Sequence, residues 1–184
     1  MVKSKVALFA PCLVFEKLQN EAPLDPAKFQ ADALAQRLSV AGQEYLRTKN
    51  YETMPVADYK EEEAAALIAK LKPSACRIAR GSLTTEARSN MAEFASHAGP
   101  VLLFAEFLRI RTGDKAYWSP ITGGLGPSQS ETLMTAALID PNSGTVVWKN
   151  EILVRKVVKP DSKDNELDKA LALLFASSSA VPVH

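Results

Sequence analysis

A glycine-rich segment is the first place in this sequence where residue types and spacing suggest chemistry. Gly123, Gly124 and Gly126 are spaced like the glycines of a phosphate-binding loop. Such a loop also needs a lysine and the start of a helix after its glycines, so that backbone amides and the lysine hold the phosphate. Here Pro127 follows the last glycine instead. We therefore interpret residues 120–130 as a mobile loop that is presented to a partner.

A single acidic residue, Glu106, is the second candidate because it interrupts the apolar run Val101–Leu108. A carboxyl group buried in such a run can have a raised pKa and act as a general acid or base. The sequence places no second carboxylate or histidine where it would share that work. We favour an ion pair between Glu106 and a Lys or Arg at the rim of the sheet. The alternative is a ligand-binding or enzymatic site near Glu106 or the Gly123–Gly126 loop.

The remaining reactive side chains have structural explanations. His97 ends a predicted helix, where a cation interacts favourably with the helix dipole. Glu61–Glu63 are consecutive helical residues that point in different directions, so they cannot converge on one metal ion. Cys12 and Cys76 are the only cysteines, and we interpret them as small buried hydrophobic residues. The sequence therefore predicts no catalytic residue, no metal site and no cofactor.

Two aromatic residues beside the glycine-rich loop form the candidate partner-binding site. An exposed aromatic side chain often anchors a protein partner, and Tyr117 and Trp118 precede the loop directly. Packing of Trp118 in the core is an equally good interpretation. We predict a partner-binding site made of Tyr117, Trp118, Gly123, Gly124 and Leu125.

The elements that must position these residues are organised around a β-hairpin. Thr132–Ile139 and Thr145–Val154 have the small, β-branched and alternating residues of strands. In the turn between them, Asp140 can accept hydrogen bonds from backbone amides and Gly144 can adopt a positive φ. A helix should cover one face of the second strand. The apolar residues on that face are Trp148, Ile152 and Val154.

Apolar periodicity and helix caps define the other elements. In chain order they are a first strand Val6–Phe15, a helix opened by Asp25 and Pro26, a short strand Tyr51–Val56 in which Pro55 indicates an edge or a strand end, a helix near 64–71, a connector from Cys76 to Gly81, a helix capped by Thr84 or Thr85, a central strand Val101–Ile110, a short strand Ala116–Ser119 and a last helix near 167–175. The order β-α-β-α-α-β-(β)-β-β-α predicts an α+β fold with helices packed on a mixed sheet of about five strands.

Length and composition limit the domain organisation and the partners. The 184 residues suit one domain spanning 1–184, with residues 177–184 as a flexible tail. A formal net charge of +1 gives no electrostatic reason to expect nucleic acid or an anionic membrane as partner. The start of the chain imitates a short signal peptide, but its apolar run is short and its cleavage site is poor. We therefore interpret that run as the buried first strand.

The order of elements resembles a small domain of bacterial envelope proteins. Lys5–Phe9 looks like the opening strand of that domain, Asp25–Asn50 like its long first helix, and residues 98–103 like its helix end and next strand. Asp140–Trp148 is similar to its hairpin pattern D-x-x-S/T-G-x-V-x-W. The family includes the N-terminal domain of TolB, curli-secretion-type lipoproteins and outer-membrane lipoproteins that activate penicillin-binding proteins. This sequence has Pro100 where Asp is common, and it has no lipobox cysteine.

The resemblance implies a non-catalytic protein-binding or assembly module of the cell envelope. Its partner would be an envelope protein or a second copy of the chain, reached through strand edges or the Tyr117–Ser130 region. The expected compartment is the periplasm, with outer-membrane anchoring if a leader has been removed, and otherwise the cytoplasm. Contact with a membrane would depend on a lipid anchor outside this sequence.

Overall fold

The structure is a computed structural model that describes residues 4–18, 20–58, 62–113, 118–119, 124–125 and 130–176. Its strands are β1 Lys5–Leu8, β2 Cys12–Lys17, β3 Glu52–Pro55, β4 Val101–Thr112, β5 Trp118–Ser119, β6 Gly124–Leu125, β7 Ser130–Asp140 and β8 Thr145–Val154. Its α-helices are α1 Ala31–Thr48, α2 Glu62–Leu71, α3 Ala75–Ala79, α4 Thr85–Ala98 and α5 Glu166–Leu174. The predicted tail, residues 177–184, lies outside the described residues.

A six-stranded mixed sheet forms the centre of the fold, which confirms the predicted α+β class. The strand order is β3-β1-β4-β7-β8, and β2 pairs with β4 on the same edge as β1. The pairs made by β1, β2 and β3 are parallel, whereas β7 is antiparallel to both β4 and β8. The strands β5 and β6 form a separate antiparallel pair. None of the helices in the described ranges is long and apolar enough to cross a membrane.

The segment predicted as one first strand is two strands separated by a bulge. Leu8 lies opposite Phe104 and Cys12 lies opposite Phe107, so the first strand contains one more residue than β4 over this interval. An extra residue reverses the alternation of side chains between the two faces of a sheet. The continuous apolar run contains no signal for this reversal. The sheet therefore has six strands where the sequence predicts about five.

The two faces of the sheet are covered to different extents. The face that we call the α1 face packs against α1 and α5, and its core includes Val6, Leu8, Leu34, Leu38, Phe104, Leu108, Ile110, Leu138, Leu167 and Leu174. The opposite α4 face packs against α2, α3 and α4, and its core includes Ala7, Phe9, Leu71, Ile78, Met91, Phe94, Leu103, Phe107 and Ile139. Along β4, the core of the α4 face ends at Phe107, while that of the α1 face continues to Ile110.

The hairpin β7–β8 confirms the interpretation of residues 132–154. Asp140 Oδ1 accepts a hydrogen bond from the Asn142 amide at 2.9 Å, and Oδ2 accepts one from Ser143 Oγ at 2.8 Å. These hydrogen bonds lower the pKa of Asp140, and the bond from Ser143 has the largest effect. Gly144 has a φ of 65°, as predicted. On the α1 face, the ring of Trp148 stacks on Tyr45 of α1 at a centroid distance of 4.8 Å.

Two predicted boundaries on the helices are wrong and one is confirmed. Asp25 caps a 3-10 turn, and α1 begins only at Ala31, because Gln30 adopts a left-handed conformation with a φ of 52°. The predicted connector after Cys76 is instead largely the short helix α3. The predicted cap of α4 is confirmed, since Thr84 Oγ1 accepts a hydrogen bond from the Ala87 amide at 3.1 Å.

Candidate functional site

The α4 face carries charged residues beyond the point where its apolar core ends. The register of β2, β4 and β7 places Glu16, Arg111 and Glu131 side by side in one row. The adjacent row contains Arg109, with Val14 and Leu133 on either side of it. We call Glu16, Arg109, Arg111 and Glu131, with the flanking Val14 and Leu133, the Arg–Glu surface.

Each guanidinium group of the Arg–Glu surface lies between carboxylates. Arg111 Nε donates a hydrogen bond to Glu16 Oε1, and its terminal nitrogens lie 3.1 Å from Glu21 and 3.7 Å from Glu131. Arg109 lies 3.6 Å from Glu131 and 3.8 Å from Glu16. The four paired side chains in the sheet are only 14–25% exposed. These ion pairs are therefore partly desolvated.

The predicted partner-binding residues lie on the connection that leaves this end of the sheet. Thr112 at the end of β4 pairs with Ser130 at the start of β7, and the connection runs between them. Trp118 is opposite Leu125 in the β5–β6 pair, whereas Tyr117 and Gly123 lie outside the described residues. The interpretation of 120–130 as a loop is therefore wrong at β6, which is stabilised by pairing with β5. A role of Trp118 in binding stays a prediction.

The carboxyl group of Glu106 is enclosed between the sheet and α1. The side chain is 3% exposed, and its Oε1 has no hydrogen-bond partner in the described part of the chain. Gly42 of α1 provides the space, since a Cβ there would lie 2.4 Å from Glu106 Oε1. Burial raises the pKa of Glu106 well above 4.5, which favours the neutral acid.

The predicted ion pair of Glu106 at the rim of the sheet is therefore wrong. Alternation along β4 directs Glu106 to the α1 face, while Arg109 and Arg111 point to the α4 face. The nearest arginines in sequence thus lie on the other side of the sheet. Glu106 also lines neither the cavity at the bulge between β1 and β2 nor the cavity between α1 and α5.

The larger of these cavities opens at the bulge between β1 and β2. It has a volume of about 630 Å³ and lies between α1, the end of β3 and the start of α3. Its wall is mostly apolar, and the lining includes Leu8, Phe9, Pro11, Val56 and Ala75, with Lys72 as its charged residue. The second cavity, of about 470 Å³, lies between α1 and α5.

A disulfide bond borders the larger cavity and overturns the interpretation of the cysteines as simple hydrophobic residues. Cys12 at the start of β2 is bonded to Cys76 in α3, with a Cα–Cα distance of 5.3 Å and a sequence separation of 64. The bulge makes this bond possible, because without the extra residue Cys12 would alternate onto the α1 face. Neither the bulge nor the short helix α3 was evident from the sequence pattern.

His97 lies where its structural explanation places it. His97 lies in the last turn of α4, as predicted, and its Nδ1 lies 2.9 Å from the Glu93 carbonyl oxygen and 3.1 Å from Ser96 Oγ. Among the residues that the structure describes, no group of three or more His, Cys, Asp or Glu could hold a metal ion. Glu61 lies outside those residues.

Comparison with known proteins gives structural similarity alone. No protein-family model and no curated protein matches this sequence. A neuraminyllactose-binding hemagglutinin homolog from Helicobacter pylori is 15% identical over 94% of this chain and 77% of its own, with a TM-score of 0.39. Lipoprotein GNA1162 from Neisseria meningitidis is 14% identical over 95% and 99%, with a TM-score of 0.38. The LpoB C-terminal domain from Salmonella enterica is 11% identical over 84% and 86%, with a TM-score of 0.31.

Proposed function

We propose that this chain is a non-catalytic protein-binding module of the bacterial cell envelope. Its binding surface is the Arg–Glu surface together with the residues around Trp118 on the adjoining connection. The observation that carries this proposal is the replacement of apolar core by a half-buried arginine and glutamate network on the α4 face. Arginine and aromatic residues supply much of the binding energy at protein interfaces.

The arrangement of the network supports recognition of a charged partner. Arg109 and Arg111 are held by several carboxylates at distances above 3 Å, in addition to the hydrogen bond to Glu16. Complementary charges accelerate association and select the correct partner. The side chains with acid–base potential lie apart, since Glu106 faces α1 and His97 ends α4.

The disulfide bond supports the periplasm as the compartment. Disulfide bonds persist in oxidising compartments such as the bacterial periplasm and are rare in the cytosol. The bond between Cys12 and Cys76 joins β2 to α3 beside the core of the α4 face. A stabilising disulfide in the fold is therefore consistent with an envelope protein.

Photo-crosslinking in the periplasm tests the proposed function. A benzoylphenylalanine residue replaces Trp118, and the matched control places the same residue at Val40, an exposed position on α1. We expect the Trp118 position to yield a discrete product with a second protein, and Arg111→Glu to abolish that product without loss of the folded state. Equal products from both positions, or a product that Arg111→Glu leaves unchanged, would contradict the proposal.

The cavity at the bulge favours a second candidate function, binding of a small apolar ligand. Its volume of about 630 Å³ falls within the range of known ligand sites, and its wall is largely apolar. Binding of the fluorescent probe anilinonaphthalene sulfonate to the native protein tests this function. Ala75→Phe, which fills the cavity, should abolish the signal. A signal that persists in this variant would place the probe elsewhere.

A further inference from the structure

The strand β8 is the feature that carries a further inference. It is ten residues long and lies at the end of the sheet, with β7 as its partner within the described ranges. The outer edge of such a strand presents backbone N–H and C=O groups that can pair with another strand. Two large apolar residues on it are exposed, Val147 at 44% and Leu153 at 54%. The edge thus combines hydrogen-bonding capacity with exposed apolar surface.

Two copies of β8 have complementary side chains when they run antiparallel and are centred on Asn150. Two antiparallel copies centred on this residue place Lys149 of each copy opposite Glu151 of the other. The same register places Val147, which lies at the β-bulge opposite Leu138 and Ile139 of β7, at the position facing Leu153, the other exposed apolar residue. Directly opposed pairs of these kinds stabilise antiparallel strands, and like charges in such positions destabilise them.

We propose that β8 pairs with β8 of a second copy of this chain, about a two-fold axis at Asn150. The two sheets then form one continuous sheet, and the interface is isologous, so each favourable pair occurs twice. This association uses an edge that the Arg–Glu surface does not include. It therefore goes beyond the proposed function and does not depend on it.

Neighbouring registers lack this complementarity. A two-fold axis normal to the sheet places the α1 faces of both copies on the same side of the joined sheet. An alternative register therefore has its axis at another residue of β8, and the nearest alternatives are Lys149 and Glu151. An axis at Lys149 places two lysines opposite each other and Glu151 opposite Val147. An axis at Glu151 places two glutamates opposite each other and Lys149 opposite Leu153. Only the axis at Asn150 therefore pairs opposite charges and apolar residues together.

The second face of β8 agrees with the same register. Trp148 and Ile152 are half-buried against the core of the α1 face. The axis at Asn150 places Trp148 of each copy opposite Ile152 of the other. Asn150 is itself held in position, since its Nδ2 donates to the Leu174 carbonyl oxygen at 2.7 Å. Its Oδ1 accepts from the Glu151 amide at 2.9 Å, and pairing replaces that bond with one to the second copy.

Charge reversals test the pairing through sedimentation equilibrium of the full chain. Lys149→Glu places two Glu–Glu pairs in the interface, and Glu151→Lys places two Lys–Lys pairs there. We expect wild-type protein to dimerise and each variant to dimerise at least about tenfold more weakly, because both symmetric pairs change sign. Lys28→Glu, on an exposed turn, controls for the change in net charge. Circular dichroism confirms that every variant is folded.

Mixing the two variants gives the decisive measurement. Lys149→Glu and Glu151→Lys each repel themselves, yet the proposed register makes them complementary to each other. A mixture should therefore form a heterodimer, although each variant still lacks the ion pair of 3.7 Å that Lys149 and Glu151 make within one chain. Monomeric wild-type protein, or a mixture that stays monomeric, overturns the proposal. Either result would favour pairing of the β8 edge with another protein or with a segment of its own chain.

Discussion

The two halves of β4 show how the same sheet treats charge in two different ways. In the half where helices cover both faces, Glu106 is buried beneath Gly42 and its Oε1 has no hydrogen-bond partner among the described residues. In the half where the core of the α4 face has ended, Arg109 and Arg111 are held by carboxylates of β2 and β7. Burial in the covered half raises the pKa of Glu106, whereas the other half places its charged side chains in ion pairs.

This difference separates stability from recognition. Side chains in the covered half are closely packed, so substitutions there should lower the free energy of unfolding. Each arginine of the Arg–Glu surface contacts more than one carboxylate, so a single substitution there should affect binding more than folding.

Loss of the disulfide bond should have the largest effect in the covered half. The bond between Cys12 and Cys76 closes a loop of 64 residues, and chain entropy alone predicts a stabilisation of about 4 kcal/mol for a loop of this size. We expect the double variant Cys12→Ser with Cys76→Ser to lower the free energy of unfolding by about 2 to 4 kcal/mol in urea titrations. Reduction of the wild-type protein should have the same effect. A double variant as stable as the oxidised protein would contradict this prediction.

Much of the fold was predictable because its signals are local. Turn residues identify the hairpin through Asp140 and Gly144, the cap of α4 follows from Thr84, and continuous apolar residues identify β4 as central. Each of these signals lies within a few residues of the structure that it determines. The order of elements, and hence the α+β class, follows from their sum.

The features that the sequence did not predict depend on the strand register between segments that are far apart in the sequence. The bulge after Leu8 is one inserted residue in an apolar run, yet it decides which face Cys12 occupies. The Arg–Glu surface likewise exists only because β2, β4 and β7 align Glu16, Arg111 and Glu131. Alternation within β4 places Glu106 on the face opposite Arg109 and Arg111, and this signal is present in the sequence.

Adding a methyl group at Gly42 should have the second-largest effect. Alanine is a better helix former than glycine by about 1 kcal/mol, but the new Cβ would lie 2.7 Å from Phe104 Cε1 and 2.4 Å from Glu106 Oε1. Overpacking of this kind costs about 1 to 3 kcal/mol, so we expect Gly42→Ala to destabilise the protein. Thermal unfolding measures the change, and Gln36→Ala on the exposed side of α1 is the control.

A second substitution identifies the cause of that loss. Glu106→Ala removes one of the two clashes but leaves the contact with Phe104, so it should recover part of the stability lost in Gly42→Ala. The two changes would then be non-additive in a double-mutant cycle. A gain of stability in Gly42→Ala alone would show that α1 moves away from the sheet without cost.

The pH dependence of stability should report the burial of Glu106. At pH values below 4.5 the carboxyl group is protonated in the folded and unfolded states, so its contribution to stability is fully present. As the pH rises, the unfolded state loses this proton first, and stability falls until the pH reaches the raised pKa of the folded protein. The slope is at most about 1.4 kcal/mol per pH unit. Glu106→Gln should remove this slope.

Urea titrations from pH 4 upward compare Glu106→Gln with Glu44→Gln, which removes a carboxyl group from the exposed side of α1. We expect the first variant to gain stability relative to wild type as the pH rises, and the second to follow the wild-type curve. Parallel curves for Glu106→Gln and wild type would mean that Glu106 is ionised in the folded protein with a partner to stabilise it.

The smallest effect on stability should come from the Arg–Glu surface. Arg111→Ala leaves Glu16 near Arg109, at 3.8 Å, and leaves Glu21 exposed to water, so no carboxylate is buried without a counter-charge. We expect a loss of about 1 kcal/mol or less, and this loss should shrink further in high salt because the pairs are partly screened. Arg37→Ala, which removes the more exposed ion pair between α1 and α5, is the control for a surface pair. If Arg111→Ala cost as much stability as Gly42→Ala, the network would belong to the core, and the contrast between the two halves of β4 would be lost.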